Sequence, residues 1–175
     1  LAGCGNIARY LINYLKPFHC NIIAYDPFLD AETLAERGAE KVEFEELLAR
    51  SDVISIHCHL TEETRHMFDA EALRKMKPDA VIVNVSRGPI IDTYALAEAI
   101  SRGELLGAGL DTHEHEPLEA DHPLRKLDTV VLTPHSAHYS SKAFQTLRTH
   151  MVDQAVAILN GSMPQFLFNR KQLGL

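Results

Sequence analysis

Apolar positions along this chain follow two periods. Short β-branched runs bounded by turn residues read as buried strands, and longer stretches with apolar residues three or four apart read as helices. Ile7, Leu11 and Leu15 predict a helix over 7–16, ended by Pro17. A strand over 21–25 stops at Asp26-Pro27, a helix over 31–37 is closed by Gly38, and a second short helix covers 44–50. Next come a strand at 52–57, a helix at 69–76 stopped before Pro78, and a strand at 80–83. A helix at 94–101 and strands at 105–110 and 129–132 follow. Last is a long helix over 140–159, with Ser140 or Ser141 as N-cap and Gly161 as its stop.

Repeated β-α-β units of this kind predict an α/β fold, a Rossmann-type doubly wound parallel sheet. A dinucleotide-binding glycine loop follows a strand, yet only Leu1-Ala2 precede Gly3, and the chain starts at Leu rather than Met. Either the first strand is absent from this chain or the loop is not a dinucleotide loop, and the expectation is that the strand is absent. Residues 163–175 are irregular, and their apolar cluster Phe166, Leu167, Phe168 is expected to pack outside the main sheet.

Composition narrows the function classes. The 175 residues carry 17 basic and 24 acidic side chains, a net charge of −7. With no Lys/Arg run, this argues against a nucleic-acid surface. No segment has the apolar length of a membrane span and no secretion leader is visible, so the expected location is cytoplasmic. Cys4, Cys20 and Cys58 are odd in number and widely spaced, as free thiols in a reducing compartment would be.

The candidate chemistry gathers where strands end. In Gly3-x-Gly5-x-x-Ala8, Gly3 would make a tight turn, Gly5 would let a pyrophosphate approach the backbone, and Ala8 would allow close helix–sheet packing. Asp26 lies 21 residues beyond Gly5 (26 − 5), at the end of the second strand, where a carboxylate binds a ribose 2′-hydroxyl and disfavours NADP relative to NAD. Asn84-Val85-Ser86-Arg87-Gly88 follows the 80–83 strand and offers Arg87 as a bidentate carboxylate grip. His135 follows another strand, and Glu116 would support its imidazolium as a general acid. A surface arginine in a turn and a hydrogen-bonded structural histidine are the plainer readings of these two. His57, His59, His113, His115, His135 and His138 also admit a metal site, but scattered His-x-His pairs lack a defined ligand set, and no metal is expected.

On these motifs, with Asp111-(x)4-Glu116-Pro117 and Thr133-Pro134-His135, the chain resembles the cofactor domain of the D-isomer-specific 2-hydroxyacid dehydrogenases, from Gly3 to about Gly161. That resemblance implies an NAD-binding domain over 1–160, with a tail over 161–175 returning toward a substrate domain that is largely absent here. It implies hydride transfer between NAD and C2 of a small D-2-hydroxy or 2-keto acid. Arg87 would hold the substrate carboxylate, His135 would be the acid/base and Glu116 would tune it. The implied cofactor contacts are Gly3, Gly5, Asn6, Ile7, Asp26, Cys58, His59, Thr64, Val85, Ser86, Asp111, His135 and His138, with Asp111 on the nicotinamide amide. The family commonly dimerises through the long helix, so a homodimer is implied too. His59 stands where the family usually has proline, and His138 where a bulky aromatic is common. Pro134-His135-Ser136-Ala137-His138-Tyr139-Ser140 is also similar to a corepressor branch of the family. The alternative it implies is an NAD(H)-sensing interaction module with little turnover.

Overall fold

The computed structural model describes residues 1–165, 167, 169–170 and 172–174. Of the tail cluster, Phe166 and Phe168 lie outside the described residues. The chain divides into two compact units, Leu1–Ala137 and His138–Leu175. The units part at Ala137, whereas the sequence places the domain boundary after 160.

In the first unit, helix α1 (Asn6–Leu15) leads to β1 (Ile23–Ala24), α2 (Ala31–Arg37), β2 (Glu40–Lys41), α3 (Phe44–Arg50) and β3 (Val53–Ile56). Then come α4 (Ala70–Arg74), β4 (Val81–Asn84), α5 (Thr93–Ser101), β5 (Gly107–Leu110) and β6 (Val130–Leu132). Helices start where short polar side chains can satisfy the first free N–H groups. The Asp30 carboxylate accepts from Thr33 N (2.7 Å), that of Asp69 from Ala72 N (2.9 Å) and that of Asp92 from Ala95 N (2.9 Å). Gly38 ends α2 in the left-handed region, at φ 91°.

All strand pairs are parallel: β1 with β2, and β3-β4-β5-β6 in that order. Between the two sheets lies the start of the chain. Ala2 bridges Tyr25 on one side and Ile56 on the other, with Ala2 N donating to Ser55 O (3.0 Å) and Tyr25 N to Leu1 O (2.9 Å). Residues 1–3 thus occupy the slot of a first strand, and the chain runs outward from it through β1 and β2 before crossing to β3 on its other side. Such a reversal is the topological switch point outside which α/β sheets bind ligands.

Register aligns the strand ends. Ile56 pairs with Asn84, Asn84 with Leu110 and Leu110 with Leu132, so the following turns emerge side by side along one edge. Ile82 of β4 and Leu110 of β5 share one buried core with Phe68, Leu73, Ile90 and Leu96. Gly107 opens β5 because a Cβ there would lie 2.2 Å from the Thr129 carbonyl oxygen. The buried positions of α1 are Ala8 and Ile12, and Ile7 is 68% exposed. The inward stripe starts one residue later than Ile7, a rotation of about 100° on a 3.6-residue helix.

The second unit contains α6 (Ser141–Leu159), capped by the Ser140 hydroxyl accepting from Ala143 N at 3.0 Å. Tyr139 packs on Phe144 with ring centroids 5.4 Å apart. Among the described residues no helix is long and apolar enough to cross a membrane.

Candidate functional site

At the switch point, the glycine loop and the turn after β3 touch. Gly3 has φ 87°, and a Cβ on it would lie 2.7 Å from Cys58 N, so both the conformation and the space demand glycine. A Cβ on Gly5 would meet nothing within 4 Å, and Gly5 caps α1 without any side-chain hydrogen bond. The first N–H groups of α1, in Asn6 and Ile7, therefore face an open cradle suited to a pyrophosphate. Asp26 joins the same site: its Oδ2 accepts from Cys4 N (2.9 Å) and its Oδ1 from Phe28 N (3.0 Å).

Beyond β3, Thr64 closes the turn that contains Cys58 and His59, its hydroxyl donating to His59 O (2.7 Å) and accepting from Thr61 N (2.8 Å). Burial pushes the Cys58 thiol up to about 11, which keeps it protonated and unreactive near neutrality. Its carbonyl accepts from the Ser86 hydroxyl, tying this turn to the one after β4.

That next turn is shaped by Asn84, a buried amide at the strand's last position. Its Oδ1 accepts from Ser86 N (3.0 Å) and its Nδ2 donates to Arg87 O (2.8 Å), leaving Val85 exposed and Arg87 at the rim. Arg87 donates to Ser86 O (2.7 Å) and forms no ion pair among the described residues.

After β5 and β6 the loops are interlocked. Asp111 is buried, and its Oδ1 accepts from Thr133 Oγ1 (2.5 Å) and Ser136 N (2.9 Å). Its Oδ2 accepts from Ala137 N (2.9 Å), and its backbone carbonyl from His135 N (2.8 Å). The carboxylate that the resemblance assigns to the nicotinamide amide thus also secures the loop bearing His135. His135 Nδ1 donates to Glu116 Oε2 (2.8 Å), and Glu116 Oε1 accepts from His113 N (3.1 Å). Together His135 and Glu116 border a cleft of about 400 Å³ that also touches Leu118, Arg125 and Leu132. His138 opens the second unit and stacks on Tyr139, with ring centroids 4.2 Å apart.

The proposed metal alternative finds a different arrangement. His57 Nε2 pairs with Ser55 Oγ (2.9 Å), His113 Nε2 donates to Thr133 O (3.1 Å), and His135 is on Glu116. Among the described residues, no three His, Cys, Asp or Glu side chains are grouped to hold a metal ion.

Three carboxyls in these loops titrate below the usual range. For Asp111, burial alone would raise the value, but Thr133, Ala137 and Ser136 as donors, with His135 nearby, outweigh it. Glu114 behaves likewise, with burial opposed by Thr93 and His66, and the hydrogen bond from His135 is the main cause for Glu116. A carboxyl lowered in the folded state stabilises it above its unfolded value, about 4. That contribution is lost as pH falls through the folded value. The Ser136 and Ala137 amides are therefore expected to lose hydrogen-exchange protection on acidification, before global unfolding. Protection factors unchanged at and below pH 4 would contradict this.

Sequence reasoning named Arg87, Glu116 and His135 but missed the groups that hold them: Asn84, Thr93, Glu114, His66 and Thr133. Asn84 and Thr133 stand inside the motifs that carry Arg87 and His135, but no spacing or period assigns them a supporting role.

The chain matches the D-isomer specific 2-hydroxyacid dehydrogenase, NAD binding domain, over residues 1–137. It is 41% identical to a glyoxylate reductase of Thermofilum pendens over 99% of this chain and 51% of that protein. It is 38% identical to a D-3-phosphoglycerate dehydrogenase of Methanocaldococcus jannaschii, over 95% of this chain and 32% of that one. The solved D-lactate dehydrogenase of Lactobacillus jensenii with NAD+ superposes with a TM-score of 0.87 at 29% identity, over 95% of this chain and 53% of that one. The chain spans about half the length, or less, of the relatives it matches.

Proposed function

This chain belongs to the D-isomer-specific 2-hydroxyacid dehydrogenases, and we propose that it supplies the NAD-binding half of an enzyme acting on a small 2-hydroxy or 2-keto acid. The observation that carries this reading is the His135–Glu116 pair at 2.8 Å on the same sheet edge as Arg87, which forms no ion pair among the described residues. NAD(H), when bound, supplies or accepts the hydride.

The open space at Gly5 and the uncapped start of α1 fit a pyrophosphate against Gly3, Gly5, Asn6 and Ile7. Asp26 would take the ribose, with Cys58, His59, Thr64, Val85, Ser86, Asp111 and His138 completing the cofactor contacts that the resemblance implies. Arg87 would grip the substrate carboxylate with two parallel N–H donors. His135 would give its Nε2 proton to the carbonyl oxygen in reduction and take it back in oxidation. Glu116, on the far nitrogen, would fix the ring orientation and stabilise the imidazolium. Residues 1–160 would serve as the cofactor domain, and 161–175 would return to the substrate domain.

Asp26→Ala is expected to narrow the preference for NADH over NADPH by about tenfold, equivalent to ~1.4 kcal/mol. An unchanged ratio of dissociation constants would place that specificity elsewhere. The exposed apolar residues of α6, among them Phe144, Leu147, Met151 and Val152, support a homodimer through this helix. A monomer in sedimentation equilibrium of the full-length protein would contradict it.

A further inference from the structure

The segment carrying Glu116 has no regular structure between Leu110 and the turn at Pro123–Lys126, so something must hold it. Part of the hold is steric. A Cβ on Gly88 would lie 1.9 Å from the His113 carbonyl carbon, so the segment lies directly on the backbone that follows Arg87. The rest is polar and centres on Glu114. Its Oε1 accepts from His66 Nε2 (2.6 Å), and its Oε2 accepts from Thr93 N (3.1 Å) and Thr93 Oγ1 (2.5 Å).

Each partner of Glu114 is itself anchored. His66 sits at φ 50°, an uncommon conformation for a residue with a side chain, and its N–H donates to Pro89 O (2.8 Å). Thr93 begins α5 and is buried, and its hydroxyl meets His122 Nε2 at 3.5 Å. Because His122 Nδ1 accepts from Leu124 N (3.3 Å), the proton of this ring is on Nε2. The result is a run of donors, His122 to Thr93 to Glu114, met from the other side by His66. It joins the turns after β3, β4 and β5 at one carboxylate.

We infer that Glu114 is a positioning residue, which through His66 and Thr93 fixes the 111–117 segment so that Glu116 meets His135. This rests on the reading of His135–Glu116 as the acid/base pair. Glu114 is two residues from Glu116 and touches no reacting group, so its effect on the site passes through the placement of the segment. The two carboxylates of this short loop then have different duties: Glu116, with His135, borders the cleft, and Glu114, with His66, locks the loop to the turn after β3, which His66 N ties in turn to Pro89 O.

The test compares Glu114→Ala, Glu114→Gln, His66→Ala and Glu116→Ala in the full-length protein. Each is read by the hydrogen-bonded His135 Nδ1–H resonance in NMR, by NADH affinity and by melting temperature. Glu114→Ala is expected to lose the resonance while NADH affinity holds. Glu114→Gln, whose amide oxygen still accepts from Thr93, is expected to restore it. His66→Ala removes a half-exposed partner and is expected to weaken the resonance even where Glu114→Ala fails to fold. A full-strength resonance in Glu114→Ala or His66→Ala overturns the inference. So does its loss together with NADH binding, which would assign Glu114 to general stability. A resonance that survives Glu116→Ala would overturn the His135–Glu116 pairing instead, and with it the acid/base reading.

Discussion

Replacing Arg87 with alanine is expected to lower 2-keto-acid reduction by the full-length protein about 10²–10⁴-fold while NADH binds as before. The size follows from losing two hydrogen bonds to a charged carboxylate, each worth about 1.5–3 kcal/mol, at ~1.4 kcal/mol per tenfold. The fold has little stake in this side chain. It is exposed and, among the described residues, donates only to the neighbouring Ser86 carbonyl, so its removal strands no buried acceptor there. The shape of the turn comes from Asn84 instead, which stays in place. Arg87→Lys should recover only part of the rate, because an ammonium is a point charge without the planar fork. Turnover persisting in Arg87→Ala would remove the guanidinium from the carboxylate site.

His135→Gln is the second large effect. Glutamine fills a similar volume and can still donate toward Glu116, but it has no proton to give to a carbonyl oxygen. General acid catalysis typically contributes about 10²–10⁴-fold, and that is the loss expected in reduction at saturating NADH. The anchors of the loop are independent of the imidazole: Asp111 grips Thr133, Ser136 and Ala137 directly. NADH affinity should therefore survive the change, and a kcat equal to wild type would exclude His135 as the acid. Glu116 then exchanges the imidazole for an amide donor that never carries charge, so its carboxyl is expected to titrate upward in the same variant.

Local chemistry made much of this legible beforehand. The helices at Ala31–Arg37 and Phe44–Arg50 were readable to the residue, the first because Asp30 and Gly38 mark its ends. Strands were found within a few residues because buried parallel strands are short β-branched runs. The exceptions have physical causes. The pair Glu40–Lys41 is too short and polar to show as a strand, and it forms only because Ile23 and Ala24 lie alongside. The β5 strand starts at Gly107, where closeness to Thr129 dictates glycine over any strand-favouring residue. Ile7 faces outward at the mouth of the glycine loop, so its apolar character is no guide to the core.

Arg87, Glu116 and His135 were readable because each follows a recognisable strand, and a parallel sheet delivers all such turns to one edge. Their supports were not. His66 and Glu114 are 48 residues apart, and Asp111 and Ala137 are 26 apart. Neither pair is linked by a period or a cap, so only the tertiary structure brings them together.

The most direct test of the account is a titration of NADH into the full-length protein, followed by addition of glyoxylate, hydroxypyruvate and other small 2-keto acids while NADH absorbance is recorded. Saturable binding and NADH oxidation with at least one of these acids are expected. Failure to bind NADH, or tight binding with no oxidation by any acid tried, would contradict it, and the latter result would favour an NAD(H)-sensing protein instead.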